Sequence, residues 1–196
     1  DAVTSMTAVP LELDAWGIDL CFAGSQKALA LPPGLTLCAV APRVVEAARG
    51  VDGRGFYFDL PRHVDALEQW QTPTTPPLSL LFQLRAELDR MEAEGATARY
   101  ARHRALQATV EEWVEDRFEI FPAAGSRSPI LSVLRAGDVD VAATLDAARA
   151  EGWWFGSGYG PTKADMIRIG HLGEIEVDLL RRALEVLSTN LVRRTY

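Results

Sequence analysis

Of the twenty basic side chains in this 196-residue sequence, only Lys27 and Lys163 are lysines. Arginine serves nearly everywhere that only positive charge is needed, so the two lysines ask for a separate explanation. A lysine amine can lose its proton and attack a carbonyl, which a guanidinium cannot. Lys163 lies in the polar run Gly160-Pro161-Thr162-Lys163-Ala164-Asp165 and is expected on the solvated surface. Lys27 lies between two apolar runs, 18–24 and 34–40, where an ammonium group without a partner is costly to bury. Taken alone, Lys27 is either a nucleophilic amine or a strand-end lysine whose head reaches back to water.

Arg168 is a second candidate, because it interrupts the short apolar run Met166-Ile167-Arg168-Ile169. Its planar fork of donors suits a carboxylate held at two oxygens, although a paired structural ion would leave the same trace. His63, His103 and His171 are scattered and have no spacing that suggests a metal site, so no metal ligand is assigned. His171 is expected to shape a turn. The run Gly156-Ser157-Gly158-Tyr159-Gly160 lacks a following helix that would make it a phosphate loop.

The elements that must position these residues can be read from the spacing of apolar side chains. Residues 18–24 and 34–40 are rich in strand formers and read as two buried strands joined by the loop that carries Lys27. Residues 61–71 show a mixed pattern, and 72–77, with Pro73, Pro76 and Pro77, read as an extended linker. Leu78, Leu81, Phe82, Leu84, Leu88 and Met91 recur at helical spacing up to Gly95. A second helix is expected over 96–116, with Tyr100, Leu106, Val110 and Trp113 as its buried stripe. Beyond Phe118 the pattern alternates: strand at 130–135, helix at 139–150, strands near 153–156 and 166–169, and helix at 175–190. That alternation is the mark of an α+β domain, and the natural boundary is the helix pair at 78–116.

Bulk properties narrow the function classes. The chain is 48% hydrophobic and 24% charged, enough for one substantial core or two small ones. A formal net charge of −7 offers nucleic acid and anionic lipid no long-range attraction, so neither is an expected partner. Cys21 and Cys38 each sit in an apolar run and read as buried, reduced thiols of a cytoplasmic protein. The longest uncharged stretch, 69–84, is broken by prolines and too short and polar to span a bilayer. The chain opens on Asp1-Ala2-Val3 and is expected to be cut from something longer.

The segment Gly24-Ser25-Gln26-Lys27-Ala28-Leu29, followed by Leu31-Pro32-Pro33-Gly34, resembles the cofactor-lysine segment of the alanine–glyoxylate, serine–glyoxylate and serine–pyruvate aminotransferases. These belong to class V of the fold-type I pyridoxal-phosphate enzymes. Further similar segments follow the family's order: Asp1-Ala2-Val3-Thr4-Ser5, Trp16-Gly17-Ile18-Asp19, Tyr57-Phe58-Asp59-Leu60, Thr75-Pro76-Pro77 and Ile167-Arg168-Ile169-Gly170-His171-Leu172-Gly173. The resemblance implies an α/β fold in which 1–77 form the C-terminal part of a large cofactor-binding domain. Residues 78–116 would be interdomain helices, and 117–196 a small α+β domain.

It also implies roles. Lys27 would hold pyridoxal 5'-phosphate as a Schiff base and then move the substrate proton. Asp1 would pair with the pyridine nitrogen, and Val3, on the same face of a strand, would pack against the ring. Gln26 would contact the cofactor phosphate; it stands where related desulfurases and lyases commonly carry histidine, which favours transamination. Arg168 would grip the substrate carboxylate. Thr75 would reach the phosphate held by a neighbouring subunit, so the unit would be a homodimer with shared sites. The expected reaction is transamination of a small amino acid, alanine or serine, with glyoxylate or pyruvate as the 2-oxo acid. The family's phosphate loop and ring-stacking aromatic fall before the position of Asp1. Competing readings are a non-catalytic remnant that dimerises or binds, and another class V enzyme such as a phosphonate aminotransferase or a lyase.

Overall fold

The computed structural model describes residues 1–114 and 117–194. The first unit is an antiparallel hairpin of β1 (Leu20–Gly24) and β2 (Thr36–Val40), in register from Leu20 opposite Val40 to Gly24 opposite Thr36. Alternation along β1 buries Cys21 and Ala23 and leaves Leu20 and Phe22 on the open face. The expectation of two buried strands therefore holds for one face of β1 only, since β2 has no buried residue and its Leu37 and Val40 are half-buried. Cys38, paired opposite Phe22, shares the open face and is exposed rather than buried; both cysteines are free thiols.

Two short helices not anticipated from the sequence follow, α1 (Pro42–Arg49) and α2 (Leu60–Leu67). Each is eight residues long with proline in its first turn and no side-chain cap hydrogen bond, and two turns are too short for an apolar period to show. Arg49 pairs with Asp65 at 2.6 Å to tie α1 to α2.

The linker at 71–77 contains no helix or strand, and α3 (Leu78–Glu94) begins directly after Pro77. It stops at Gly95, whose φ of 80° suits a residue without Cβ. Its apolar row is open in this chain: Phe82 is 76% exposed, and Glu87 is the buried residue of the helix. The helix α4 (Ala96–Val114) buries Arg99, His103, Leu106, Val110 and Val114, which share one face at spacings of three and four. Leu106 and Val110 lie in the buried stripe as expected, whereas Tyr100 and Trp113 flank it half-buried. The expected end of this helix at 115–116 falls outside the described residues.

The second unit is a four-stranded antiparallel sheet of β3 (Glu119–Ile120), β4 (Leu131–Arg135), β5 (Gly156–Ser157) and β6 (Met166–Gly170), in the order β3-β4-β6-β5. Helices α5 (Val141–Ala150) and α6 (Val177–Thr189) complete it. The cap of α5 is Asp140, whose carboxylate accepts the Ala143 N–H at 3.0 Å. Leu134, Ile167 and Ile169 of the sheet pack with Leu106 and Val110 of α4 and Leu180, Leu184 and Leu187 of α6 in one core. Each such side chain contributes about 1.5–3 kcal/mol of burial free energy. The strand expected near 153–156 instead comprises Gly156 and Ser157, and Trp154 before it is exposed over Arg149. No helix among the described residues is long and apolar enough to cross a membrane.

The Lys27 loop and the Arg168 strand as a candidate active site

The loop between β1 and β2 is closed around Ser25, which is fully buried. Its hydroxyl donates to the Pro32 carbonyl at 2.7 Å and accepts the Leu35 N–H at 3.2 Å. The Leu31 N–H returns to the Ser25 carbonyl at 3.1 Å, and the Ala30 N–H to the Lys27 carbonyl at 2.9 Å. Ala28 and Leu29 are buried below. The Ala28 carbonyl accepts from Thr7 Oγ1 at 3.2 Å and from Arg99 Nη2 at 2.7 Å, so the backbone next to Lys27 is fixed from two sides.

The Lys27 side chain is half-buried, and no carboxylate among the described residues lies within ion-pair distance of it. Its amine is thus left to whatever binds beside it. Lys163 is exposed on its polar loop. Gln26 is exposed, with its amide folded over Gly24; a Cβ at residue 24 would come within 2.5 Å of Gln26 Oε1.

The first residues run beside β1, where the Ala2 N–H donates to the Phe22 carbonyl at 2.9 Å. Asp1 is exposed, and one of its carboxylate oxygens accepts the Val3 N–H at 2.8 Å. Val3 is half-buried but opens a turn, closed by bonds from Ser5 and Met6 to the Ala2 carbonyl, rather than lying on a strand. Val3 therefore has no strand face, contrary to expectation, because the single hydrogen bond from Ala2 to β1 does not extend into a ladder. Thr75 is exposed in the linker, and no hydrogen bond among the described residues joins it to the Lys27 loop.

Arg168 lies at the centre of β6, opposite Val133 of β4 and Gly156 of β5. Its Nε donates to the Ser157 carbonyl at 2.5 Å, and the Tyr159 ring lies over the guanidinium at 3.9 Å. Both Nη groups have no hydrogen-bond partner among the described residues. Gly156 gives this geometry room, since a Cβ there would stand 3.1 Å from Arg168 Nη2 and the guanidinium would have to shift slightly.

Residues on either side of β6 carry the sheet to the Lys27 loop. Ala8, Ala28 and Ile130 form one buried cluster against Leu172. Gly173, with a φ of 68°, lies so close to Ala30 that a Cβ would meet the Ala30 side chain at 2.8 Å. Behind this contact, Arg99 Nη1 bonds Glu94 and Glu174, both at 2.9 Å. Arg102 bonds Glu94 at 2.7 Å and the carbonyls of Gly173 and Ile175 at 2.9 and 3.0 Å. Burial opposes ionisation of Glu174, but Arg99 leads a set of neighbours that outweigh it and hold its carboxyl below the ordinary glutamate value. Burial and then Glu174 push Glu87 above that value.

The sequence reading missed this polar junction. Arg99 and His103 precede Leu106 on one helical face, and that continuation of the stripe was the available signal. His171 was expected to shape a turn; it is instead fully buried, with Nε2 3.0 Å from Ser132 Oγ. Burial pulls its pKa down to about 4 and leaves the imidazole neutral. Its place two residues beyond Ile169 puts it on the core face by strand alternation. Among the described residues no group of three or more His, Cys, Asp or Glu could hold a metal ion.

No family model matches the chain. The sequence is 32% identical over its whole length to the small subunit of a soluble hydrogenase from Synechococcus sp., covering 52% of that protein. It is 33% identical over 92% of its length to a serine–glyoxylate aminotransferase of Methylorubrum extorquens, covering 47% of that protein. The fold superposes on an alanine–glyoxylate aminotransferase from Nostoc sp. with a TM-score of 0.89 and 26% identity, over 97% of this chain and 52% of that one. The chain thus spans about half the length of the relatives it matches. Together with the geometry of the Lys27 loop and the Arg168 strand, these likenesses place it: the chain belongs to the class V pyridoxal-phosphate-dependent aminotransferases of the alanine–glyoxylate and serine–glyoxylate group, and corresponds to their C-terminal half.

Proposed function

We propose that the protein carrying this chain transaminates a small amino acid, alanine or serine, with glyoxylate or pyruvate as acceptor, and holds pyridoxal 5'-phosphate covalently through Lys27. One observation carries the reading. Lys27 sits in a loop whose backbone is pinned at the Ala28 carbonyl, while its own amine and both Nη groups of Arg168 are unclaimed among the described residues. Two strong donor groups left open on elements that meet through Ala30 and Gly173 are suited to a ligand that carries both a carbonyl and a carboxylate.

The donor set fits the cofactor. When bound, pyridoxal phosphate supplies an electron sink that makes the substrate Cα–H acidic. Once displaced by the substrate amine, Lys27 Nζ would be a free base that takes the proton from the substrate Cα and returns it on the acceptor side, which needs an amine held on a rigid backbone. Arg168 orients the substrate through its carboxylate, so that the Cα–H bond faces Lys27. Asp1 keeps a carboxylate oxygen free of the Val3 N–H to hold the pyridine nitrogen protonated. Val3 would pack on the ring, and Gln26, exposed next to Lys27, would bind the phosphate.

We assign 1–77 to the large domain, 78–116 to the linking helices and 117–196 to the small domain. Thr75, exposed on a proline-braced segment, would complete the site of a partner subunit in a homodimer. The test is an absorbance titration of the full-length protein with pyridoxal phosphate, followed by addition of alanine or serine. The reading expects a visible band that is bleached by the amino acid and absent in Lys27→Ala. A band that persists in Lys27→Ala would overturn it.

A further inference from the structure

Tyr159 has no part in the assignments above, yet the fold holds it in a defined place. The Gly158 N–H bonds the Met166 carbonyl at 3.0 Å, and both the N–H and the hydroxyl of Thr162 bond the Tyr159 carbonyl, at 3.0 and 2.9 Å. A Cβ at Gly158 would collide with the Thr162 backbone at 2.2 Å, so the loop is knotted tightly and carries the ring over β6. The ring is nonetheless 71% exposed and serves no core. Its contact is the guanidinium of Arg168, 3.9 Å from the ring centroid, a stacking arrangement suited to a cation on a π face.

We propose that Tyr159 is a positioning residue that holds the Arg168 guanidinium flat, so that substrate carboxylates are gripped end-on by the two Nη groups. The Ser157 carbonyl already occupies Nε, which rules out the side-on fork through Nε and Nη2. The Tyr159 ring closes one face of the guanidinium, and Gly156 leaves the space beside Nη2 free of a side chain. What remains is an in-plane approach to Nη1 and Nη2. This inference rests on Arg168 being the carboxylate anchor. It adds that amino donor and 2-oxo acceptor, which both carry the carboxylate, depend equally on Tyr159.

The experiment uses the full-length protein with Tyr159→Leu, Tyr159→Phe and Arg168→Ala. Calorimetric binding of glycolate, a carboxylate without an amino group, is read beside KM and kcat for both substrates. Loss of the π face in Tyr159→Leu should weaken glycolate binding and raise both KM values by the same factor, about two- to fivefold. kcat should change less, and Tyr159→Phe should behave as wild type. If Tyr159→Leu matches Tyr159→Phe while Arg168→Ala loses glycolate binding, the role of Tyr159 is wrong and the anchor stands. If Arg168→Ala binds glycolate as wild type does, the anchor reading fails and takes this inference with it.

Discussion

Replacing Arg99 by methionine tests how the Lys27 loop is held in place. Arg99 is 2% exposed and bonds three groups: the Ala28 carbonyl at 2.7 Å, Glu94 at 2.9 Å and Glu174 at 2.9 Å. Not all of that is lost. Glu94 keeps Arg102 at 2.7 Å, Glu174 is partly solvated, and the Ala28 carbonyl keeps Thr7 at 3.2 Å. Arg99 Nε is itself buried without a partner, so its removal returns some free energy. A broken buried ion pair costs about 3–5 kcal/mol when nothing compensates, and a hydrogen bond to a charged group contributes about 1.5–3 kcal/mol. With the compensation described, Arg99→Met should cost about 2–3 kcal/mol in urea unfolding. The loosened loop should also exchange its Ala30 and Leu31 amide protons faster, because their acceptors are the carbonyls of Lys27 and Ser25. A cost under about 0.5 kcal/mol with unchanged exchange would refute the claim that this arginine holds the loop.

His171 should make stability depend on acidity. Its pKa is near 4 when folded against an ordinary value of 6.5, so the folded state binds fewer protons between these limits. The stabilisation is complete above 6.5 and lost as pH falls toward 4, about 2 kcal/mol by about pH 5. His171→Asn should flatten that slope in urea titrations at several pH values, and an unchanged slope would clear His171 of it. Arg168→Lys keeps the charge but loses the fork, so KM for the amino acid should rise by roughly one to two orders of magnitude, about 1.5–3 kcal/mol; steady-state kinetics with unaltered KM would exclude the role. Mixing full-length Lys27→Ala with Thr75→Arg should restore part of the activity, since one site of each heterodimer then carries neither lesion. Proven heterodimers without recovery would mean that Thr75 does not serve the partner's site.

Much of the frame was legible because it follows from periodicity and breakers. The helix after Pro77, its stop at Gly95, and the strands around Val133 and Arg168 all lie where apolar spacing put them. The short helices α1 and α2 were not, because eight residues span barely two turns and show no apolar period. The open face of the β1–β2 hairpin was misjudged because apolar composition does not say which face has a neighbour; Phe22 and Cys38 read as core by type. In the candidate site, Lys27 was visible as a chemical exception between two apolar runs and Arg168 as one within an apolar run. The groups that set their geometry were not. The Arg99 contact with Ala28 joins residues far apart in the chain, and the Ser25 hydroxyl and the Tyr159 ring act across irregular loops whose path the spacing of apolar residues does not reveal.

The central claim is that Lys27, and not Lys163, binds the cofactor. Borohydride reduction of the full-length protein with pyridoxal phosphate, followed by peptide mapping, tests it directly. A pyridoxyl group is expected on the peptide containing Ser25-Gln26-Lys27-Ala28-Leu29. A label on Lys163, or on neither lysine, would contradict it.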